Sequence, residues 1–120
     1  MSVYAELEKR LRQIEKRAAE LTKDTAVAGY SMRQLLLLQQ LYFHDGQNPK
    51  ALAAAVNQAP TSVTPLIDSL EIHSLTTRLP DASDRRSVKI VLTRSAKDPA
   101  FRMAVLDTLA IIEDEFKGWL

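Results

Sequence analysis

One stretch of the sequence, from Leu75 to Thr93, carries the alternation of a β-hairpin in a chain that is otherwise patterned as helices. Apolar and polar residues alternate on both sides of a turn-rich segment, P-D-A-S-D. This pattern predicts strands at Leu75–Leu79 and Ser87–Thr93, joined by a tip at residues 80–86. The apolar face is expected to consist of Leu75, Thr77 and Leu79 on the first strand, and Val88, Ile90 and Leu92 on the second.

Basic side chains are concentrated around this hairpin although the whole chain is nearly neutral. The 120 residues carry a formal net charge of +1, whereas residues 76–97 hold six Lys or Arg against two Asp, a net +4. Residues 98–120 hold two basic against five acidic side chains, a net −3. An acidic C-terminal segment therefore hides a locally basic hairpin, and such a distribution is typical of a nucleic-acid-binding surface.

Two helix starts lie within residues 31–49. The capping-box pattern S-M-R-Q at residues 31–34 stands ahead of an apolar run, L-L-L-L-Q-Q-L-Y-F. This predicts a buried helix that ends at the turn of Asp45 and Gly46. Asn48 followed by Pro49 is a second start, with Asn48 as N-cap and Pro49 in the first helical position.

A third helix start lies in the segment N-Q-A-P-T-S at residues 57–62. Ser62 is the predicted N-cap, because that choice places Pro65 within the first turn, where a missing N–H costs nothing. Helix, tight turn, helix and then a two-stranded hairpin is the order of a winged helix-turn-helix. The predicted fold is therefore mainly α with a small β-hairpin.

Apolar seams run along both ends of the chain. Each follows steps of three and four residues, the spacing of a helix face that must be buried on its own domain or on a partner chain. Under three heptads do not decide between these two alternatives. The seam residues are Tyr4, Leu7, Leu11, Ile14, Ala18 and Leu21 near the N-terminus, and Val105, Leu109, Ile112 and Phe116 near the C-terminus.

Several function classes have no support in the sequence. The chain has no cysteine, and His44 and His73 are too far apart to suggest a metal site. No nucleophile–histidine–carboxylate set, phosphate-binding glycine loop or carboxylate pair is present, so neither an enzyme nor a cofactor is expected. There is no apolar run of about 18 residues and no signal-peptide pattern, so a cytoplasmic protein without membrane contact is expected.

Together these motifs resemble the MarR (multiple antibiotic resistance regulator) family of winged-helix transcription factors. The resemblance covers about residues 31–93. A D-R-R triplet six residues after Arg78, ahead of a strand ending in Leu-Thr, makes it specific. The matching motifs are S-x-x-Q at 31–34, I-D-S-L-E at 67–71, Arg78, D-R-R at 84–86 and V-L-T at 91–93.

The resemblance implies a homodimer on double-stranded DNA, with a recognition helix in each major groove and wing arginines at the backbone or minor groove. A pseudo-palindromic operator with half-sites about one helical turn apart would follow from the two-fold symmetry. The predicted DNA-binding residues are Thr61, Ser62, Thr64, Pro65, Arg78, Arg85, Arg86 and Lys89, with Asp84 bracing the wing. The predicted dimerisation residues are Tyr4, Leu7, Leu11, Ile14, Leu109, Ile112 and Phe116.

Three departures from the family pattern shape these expectations. Pro65 stands where members usually carry a basic residue, so hydroxyl groups, the wing and DNA shape are expected to supply most of the readout. Ser74 replaces the usual glycine after the recognition helix, and the C-terminal region has room for one long helix rather than two. For Arg78, a structural salt bridge and a phosphate contact remain equal alternatives.

The chain is thus expected to be a single domain over residues 1–120. Its winged helix-turn-helix would span residues 31–95, and residues 1–30 and 96–120 would form dimerisation helices. The predicted function is a DNA-binding transcriptional regulator, acting as a repressor. The alternative is a winged-helix module for protein–protein contacts, and a third possibility is a sensor whose small-molecule effector releases DNA.

Overall fold

The computed structural model describes residues 2–119. Within them the chain forms five α-helices, one antiparallel hairpin and a short terminal 3-10 helix at Lys117–Trp119. The elements are α1 (Val3–Thr22), α2 (Met32–Phe43), α3 (Pro49–Ala55), α4 (Pro60–Ile72), β1 (Thr76–Asp81), β2 (Asp84–Leu92) and α5 (Pro99–Phe116). This confirms the predicted mainly helical fold with one hairpin, and the single long helix at the C-terminal end.

The core is built around α2. Leu35, Leu38 and Leu41 of this helix have no exposed surface, as its nearly continuous apolar sequence predicts. They belong to one cluster with buried residues of α3, α4, β2 and α5, among them Leu52 and Ile90. Each such side chain contributes about 1.5–3 kcal/mol by leaving water. The cluster therefore fixes α4 and the hairpin relative to each other.

The starts of α2 and α3 follow the predicted capping. The Gln34 amide donates to the Ser31 hydroxyl at 3.2 Å, and the Ser31 amide donates to the Gln34 side-chain oxygen at 2.7 Å. The side-chain oxygen of Asn48 accepts from the Ala51 amide at 2.7 Å. Local sequence was sufficient here because each cap bonds within its own first turn.

The predicted start of α4 was wrong. Ser62 does not cap this helix; Ala59 occupies the N-cap position without a side-chain hydrogen bond, and Pro60 is the first helical residue. Pro60 has its φ preset for a helix and no N–H to satisfy, so it can open the helix without a capping hydroxyl. As a result Pro65 is an interior residue of α4 rather than part of its first turn.

Two residues with positive φ set the junctions at either side of α4. Asn57 has φ of 55° and forms the turn between α3 and α4, while Ser74 has φ of 60° between α4 and β1. After Ser74 the chain folds back, and the Leu75 amide donates to the Leu70 carbonyl at 2.9 Å. This is a Schellman motif, normally closed by glycine. Ser74 therefore adopts, at the end of α4, the left-handed backbone conformation that favours glycine.

The hairpin forms, but the predicted face of β1 was wrong by one residue. Arg78 is paired with Ile90 and Thr76 with Leu92, so these residues share the face that meets the core. Leu79 is 47% exposed, whereas Thr76 is buried. Alternation alone could not decide which residues of β1 face the core, because Leu75 is buried by the turn after α4 rather than by the sheet.

The tip of the hairpin is also shorter than predicted. Asp81 pairs with Asp84, which leaves a turn of Ala82 and Ser83 instead of residues 80–86. The pairing then jumps to Pro80 with Val88, so residues 85–87 of β2 lie in an irregular segment with no paired residue opposite. Such a bulge redirects the side chains of the strand that carries it.

α1 packs against α5 along its C-terminal half. Ala18 is buried there, and the Arg17 guanidinium binds the Glu115 carboxylate through two hydrogen bonds of 2.7 Å. This pairing holds the pKa of Glu115 below its ordinary value. Arg10 lies over the Trp119 ring at 5.2 Å, which adds a cation–π contact.

The N-terminal half of α1 leaves its apolar seam uncovered. Tyr4 is 84% exposed, Leu7 51% and Leu11 58%. Leu109 and Ile112, also predicted as dimerisation residues, are buried within the chain, and Ile14 and Phe116 are half-buried. Among residues 2–119, no helix is both long and apolar enough to cross a membrane.

Candidate nucleic-acid interface

α4 presents one buried and one exposed face. Val63, Ile67 and Leu70 are buried against the core. The predicted contact residues Thr61, Ser62, Thr64 and Pro65 are all exposed on the rest of the helix, next to Asp68. The 3.6-residue period produces this division, because apolar residues recur at steps of three and four. The structure therefore brings these four predicted residues together on one solvent-facing surface.

The three hydroxyl groups on this surface differ in whether they form a hydrogen bond within the helix. The Thr64 hydroxyl donates to the Pro60 carbonyl at 3.1 Å, so its proton is used within the helix. Among the residues described, the hydroxyls of Thr61 and Ser62 make no hydrogen bond. Since neither of them caps the helix, both keep a donor and acceptors for an external partner.

Pro65 is unusual in this place. A proline in a helix interior costs about 3 kcal/mol relative to alanine, because it removes an amide donor and its ring crowds the preceding turn. Its missing amide is the one that would bond the Thr61 carbonyl. The Pro65 side chain is exposed, so core packing does not offset this cost. Stability therefore does not account for proline at this position.

Arg78 connects the wing to α4. Its guanidinium donates to Asp68 at 2.5 Å and also to Glu71, so one side chain of β1 holds two carboxylates of the helix. The hydrogen bond to Asp68, with the charges of both acids, raises the pKa of Arg78 further above its ordinary value. Of the two alternatives for Arg78, the salt bridge is the one present in the structure.

We expect Arg78→Ala to weaken DNA binding by about tenfold while lowering the free energy of unfolding by only about 0–1 kcal/mol. The substitution leaves Asp68 and Glu71 unneutralised on a helix that is predicted to lie near phosphates. The matched test adds Asp68→Asn and Glu71→Gln to the Arg78→Ala chain, with affinity measured by fluorescence anisotropy. Recovery of affinity in the triple variant is expected. Persistent loss would instead make Arg78 a direct phosphate ligand.

The two wing arginines have no acidic partner among residues 2–119. Arg85 and Arg86 are exposed in the irregular segment of β2, and neither forms an ion pair within residues 2–119. Asp84 does not bind either guanidinium; its carboxylate accepts from the Arg86 amide at 3.0 Å. Asp81 accepts from the Ser83 amide and hydroxyl, and these bonds lower the pKa of Asp81. Both aspartates thus brace the backbone of the wing and leave its cations available.

Lys89 lies on the other face of the hairpin from Ile90. It is half-buried, opposite Leu79, with its aliphatic chain 3.8 Å from where a Cβ on Gly46 would stand. This places Lys89 beside the loop after α2, farther from the turn than Arg85 and Arg86. The structure therefore places Lys89 apart from the two wing arginines.

Three acidic residues of this region were missed by the sequence reasoning. Asp68 and Glu71 are three residues apart on α4, a spacing that places both on one side of a helix and could have identified them as partners of Arg78. Asp45 accepts from the Leu92 amide at 2.9 Å and lies 3.5 Å from Lys97. No local pattern could predict that contact, because 47 residues separate its partners.

The arrangement defines a winged-helix protein: a helix-turn-helix whose second helix is braced by a two-stranded wing. Residues 30–88 match the sequence model of the MarR family. These 59 of the 120 residues show a MarR-family winged helix-turn-helix, and members of that family are transcription regulators, not enzymes. No curated protein sequence matches the chain.

Solved structures share the fold at low sequence identity. The MepR–DNA complex of S. aureus superposes with a TM-score of 0.78 at 21% identity, covering 100% of this chain and 85% of that chain. CouR, a transcriptional repressor bound to a 23-mer DNA duplex, gives 0.72 at 19% identity, with coverage of 99% and 81%. A MarR transcriptional regulator from Methanosarcina mazei Go1 gives 0.69 at 20% identity, with coverage of 95% and 81%.

Proposed function

We propose that this protein is a homodimeric DNA-binding regulator of the cytoplasm that represses transcription from a pseudo-palindromic operator. α4 enters the major groove of each half-site, and Arg85 and Arg86 meet the backbone or minor groove. Residues 31–95 act as the DNA-binding part, and residues 1–30 and 96–120 act as dimerisation helices within one domain. The structures of MepR and CouR, both bound to DNA, support this assignment by family analogy.

The proposal rests on the exposed arginines of the wing. Its arginines are exposed, free of acidic partners in the part of the chain described, and mounted on a segment whose aspartates bond the backbone instead. Exposed guanidinium groups without acidic partners are what phosphate recognition requires. If the wing had no role in binding DNA, Arg85 or Arg86 would be expected to form an ion pair with Asp81 or Asp84, which are close in sequence.

The uncovered seam of α1 supports the homodimer. Four apolar side chains, Val3, Tyr4, Leu7 and Leu11, are each more than half exposed along one side of the helix. The chain is also extended, with a radius of gyration of 15.2 Å, where a compact monomer of this length has about 13.6 Å. A second copy of the same helix would cover such a seam isologously.

Binding to duplex DNA across a salt series tests the proposal. We expect fluorescence anisotropy with a random duplex of about 24 base pairs to show an affinity that falls linearly on logarithmic axes between about 0.05 and 0.3 M salt. The physical reason is release of counterions as basic side chains neutralise phosphates. Absence of binding at the lowest salt, or binding without salt dependence, would contradict the proposal.

A different function would appear in the same experiment. α4 exposes no basic side chain, which favours a winged helix used for protein–protein contacts if DNA is not bound. In that case a stoichiometric protein partner should co-purify and no DNA shift should occur at low salt.

A small-molecule effector stays a prediction. An apolar cleft of about 260 Å³ lies between α1, α2 and α5, where the dimerisation helices meet the winged helix. Its walls include Ile14, Leu36, Leu109, Phe116 and Trp119. A ligand selective for the folded chain would raise the melting temperature, so thermal-shift screening tests this role.

A further inference from the structure

We propose that α4 reads thymine methyl groups in the major groove, through the ring of Pro65 and the methyl groups of Thr61 and Thr64. The inference rests on the proposed function, because it requires α4 to lie in the groove. On this view α4 prefers thymine, which it recognises by apolar contacts, and does not recognise guanine by a charged side chain.

The side chains that read purines by paired hydrogen bonds are missing from α4. Residues 60–72, P-T-S-V-T-P-L-I-D-S-L-E-I, include no Arg or Lys for guanine and no Asn or Gln for adenine. Asp68 could accept from a cytosine amino group, but its carboxylate is already held by Arg78 at 2.5 Å. Hydroxyl groups and carbon atoms are what this helix can offer to base edges.

The carbon groups lie on one exposed side. Thr61 and Pro65 are four residues apart and Thr61 and Thr64 are three apart, so both Thr64 and Pro65 are neighbours of Thr61 on the helix surface. All three are exposed. The hydroxyl proton of Thr64 is used by the Pro60 carbonyl, which leaves its methyl group as the part without a partner in the helix. Pro65 adds a rigid hydrocarbon ring and no donor.

Thymine is the complementary base. Its C5-methyl is the apolar group on the major-groove edge, and apolar side chains, including the threonine methyl, contact it. Burying one methyl changes affinity by about fourfold. The Pro65 ring has a thermodynamic cost in the helix that core packing does not offset, and a contact in the groove accounts for its presence on this side.

Replacing thymine by deoxyuridine removes only the methyl group and tests the inference directly. The probe is the tightest duplex selected from a random library of about 24 base pairs, long enough for two half-sites. It is synthesised once with thymine and once with deoxyuridine. We expect the deoxyuridine duplex to bind more weakly, by about fourfold for each methyl that the complex buries.

Matched variants separate contact from DNA shape. Thr61→Ser with Thr64→Ser removes two methyl groups and keeps both hydroxyls, so the thymine-to-deoxyuridine affinity ratio should fall towards one. Pro65→Ala should lower the ratio as well. Arg85→Ala with Arg86→Ala, the control, should weaken both duplexes equally and leave the ratio unchanged.

Failure of the methyl readout can be distinguished from failure of the proposed DNA binding. Equal, salt-dependent binding of the thymine and deoxyuridine duplexes would overturn the methyl readout and leave the proposed DNA-binding function in place. A ratio that persists in both the serine and the Pro65→Ala variants would assign the preference to DNA shape and also overturn the inference. No binding of either duplex at low salt would overturn both.

Discussion

Replacing Arg85 and Arg86 together with alanine is expected to weaken DNA binding by about 10- to 100-fold at physiological salt. Each phosphate contact contributes about 0.9 to the slope of log affinity against log salt, and a homodimer loses four arginines, so the slope should fall by about 3.6. The expectation rests on two exposed guanidinium groups without acidic partners in the part of the chain described. The loss should be similar for all DNA sequences, because phosphate contacts carry no base information.

A control variant with the same change in net charge shows whether the loss of affinity is specific to the wing. Lys9 and Lys16 are exposed on α1 and form no ion pair within residues 2–119. Lys9→Ala with Lys16→Ala lowers the net charge as much as the wing double variant does, at a site away from the wing. We expect a change of less than about twofold for this control, since screening is strong beyond about 8 Å at physiological salt. Equal weakening by both double variants would refute a specific role of the wing.

Leu7→Asp with Leu11→Asp is expected to convert a dimer to a monomer and to weaken operator binding by about 100-fold or more. Both leucines are more than half exposed in the single chain, so the folded protomer should tolerate the change. Burying two carboxylates in a symmetric interface would place like charges together in an apolar setting. Losing the dimer removes the gain from engaging two half-sites at once, which is about 10² to 10⁴.

Solution mass and circular dichroism check this prediction alongside affinity. The matched control is Lys9→Gln with Gln13→Asp, which changes the net charge by the same amount on the opposite side of α1. It should leave mass, helicity and affinity unchanged. A Leu7→Asp, Leu11→Asp protein that keeps dimer mass would show that the α1 seam is not the interface.

Sequence reasoning succeeded where structure is decided within one turn. The capping box of Ser31 and Gln34 and the Asn48 cap are both confirmed, because their hydrogen bonds join residues three apart. The predicted start of α4 was wrong: Ser62 was expected to be the N-cap with Pro65 in the first turn, whereas Pro60 is the proline that occupies the first turn.

The hairpin shows a different limit. Two faces of β1 were possible from alternation, and the pairing of Arg78 with Ile90 selected the one opposite to the prediction. The choice depends on how Ser74 turns the chain out of α4, which is a property of the junction and not of the strand. The bulge that carries Arg85 and Arg86 follows from the same register and has no separate signal in the sequence.

By itself, the sequence determined the order of elements, the basic hairpin and the family, because capping, periodicity and charge are written in neighbouring residues. Only the tertiary structure decided which charges are available. Arg78 is neutralised by Asp68 and Glu71 of another element, whereas Arg85 and Arg86 form no ion pair within residues 2–119 and the nearby Asp81 and Asp84 bond the backbone. Pairing between charges depends on distances across the fold, and those distances exist only once α4 and the wing have packed on the common core.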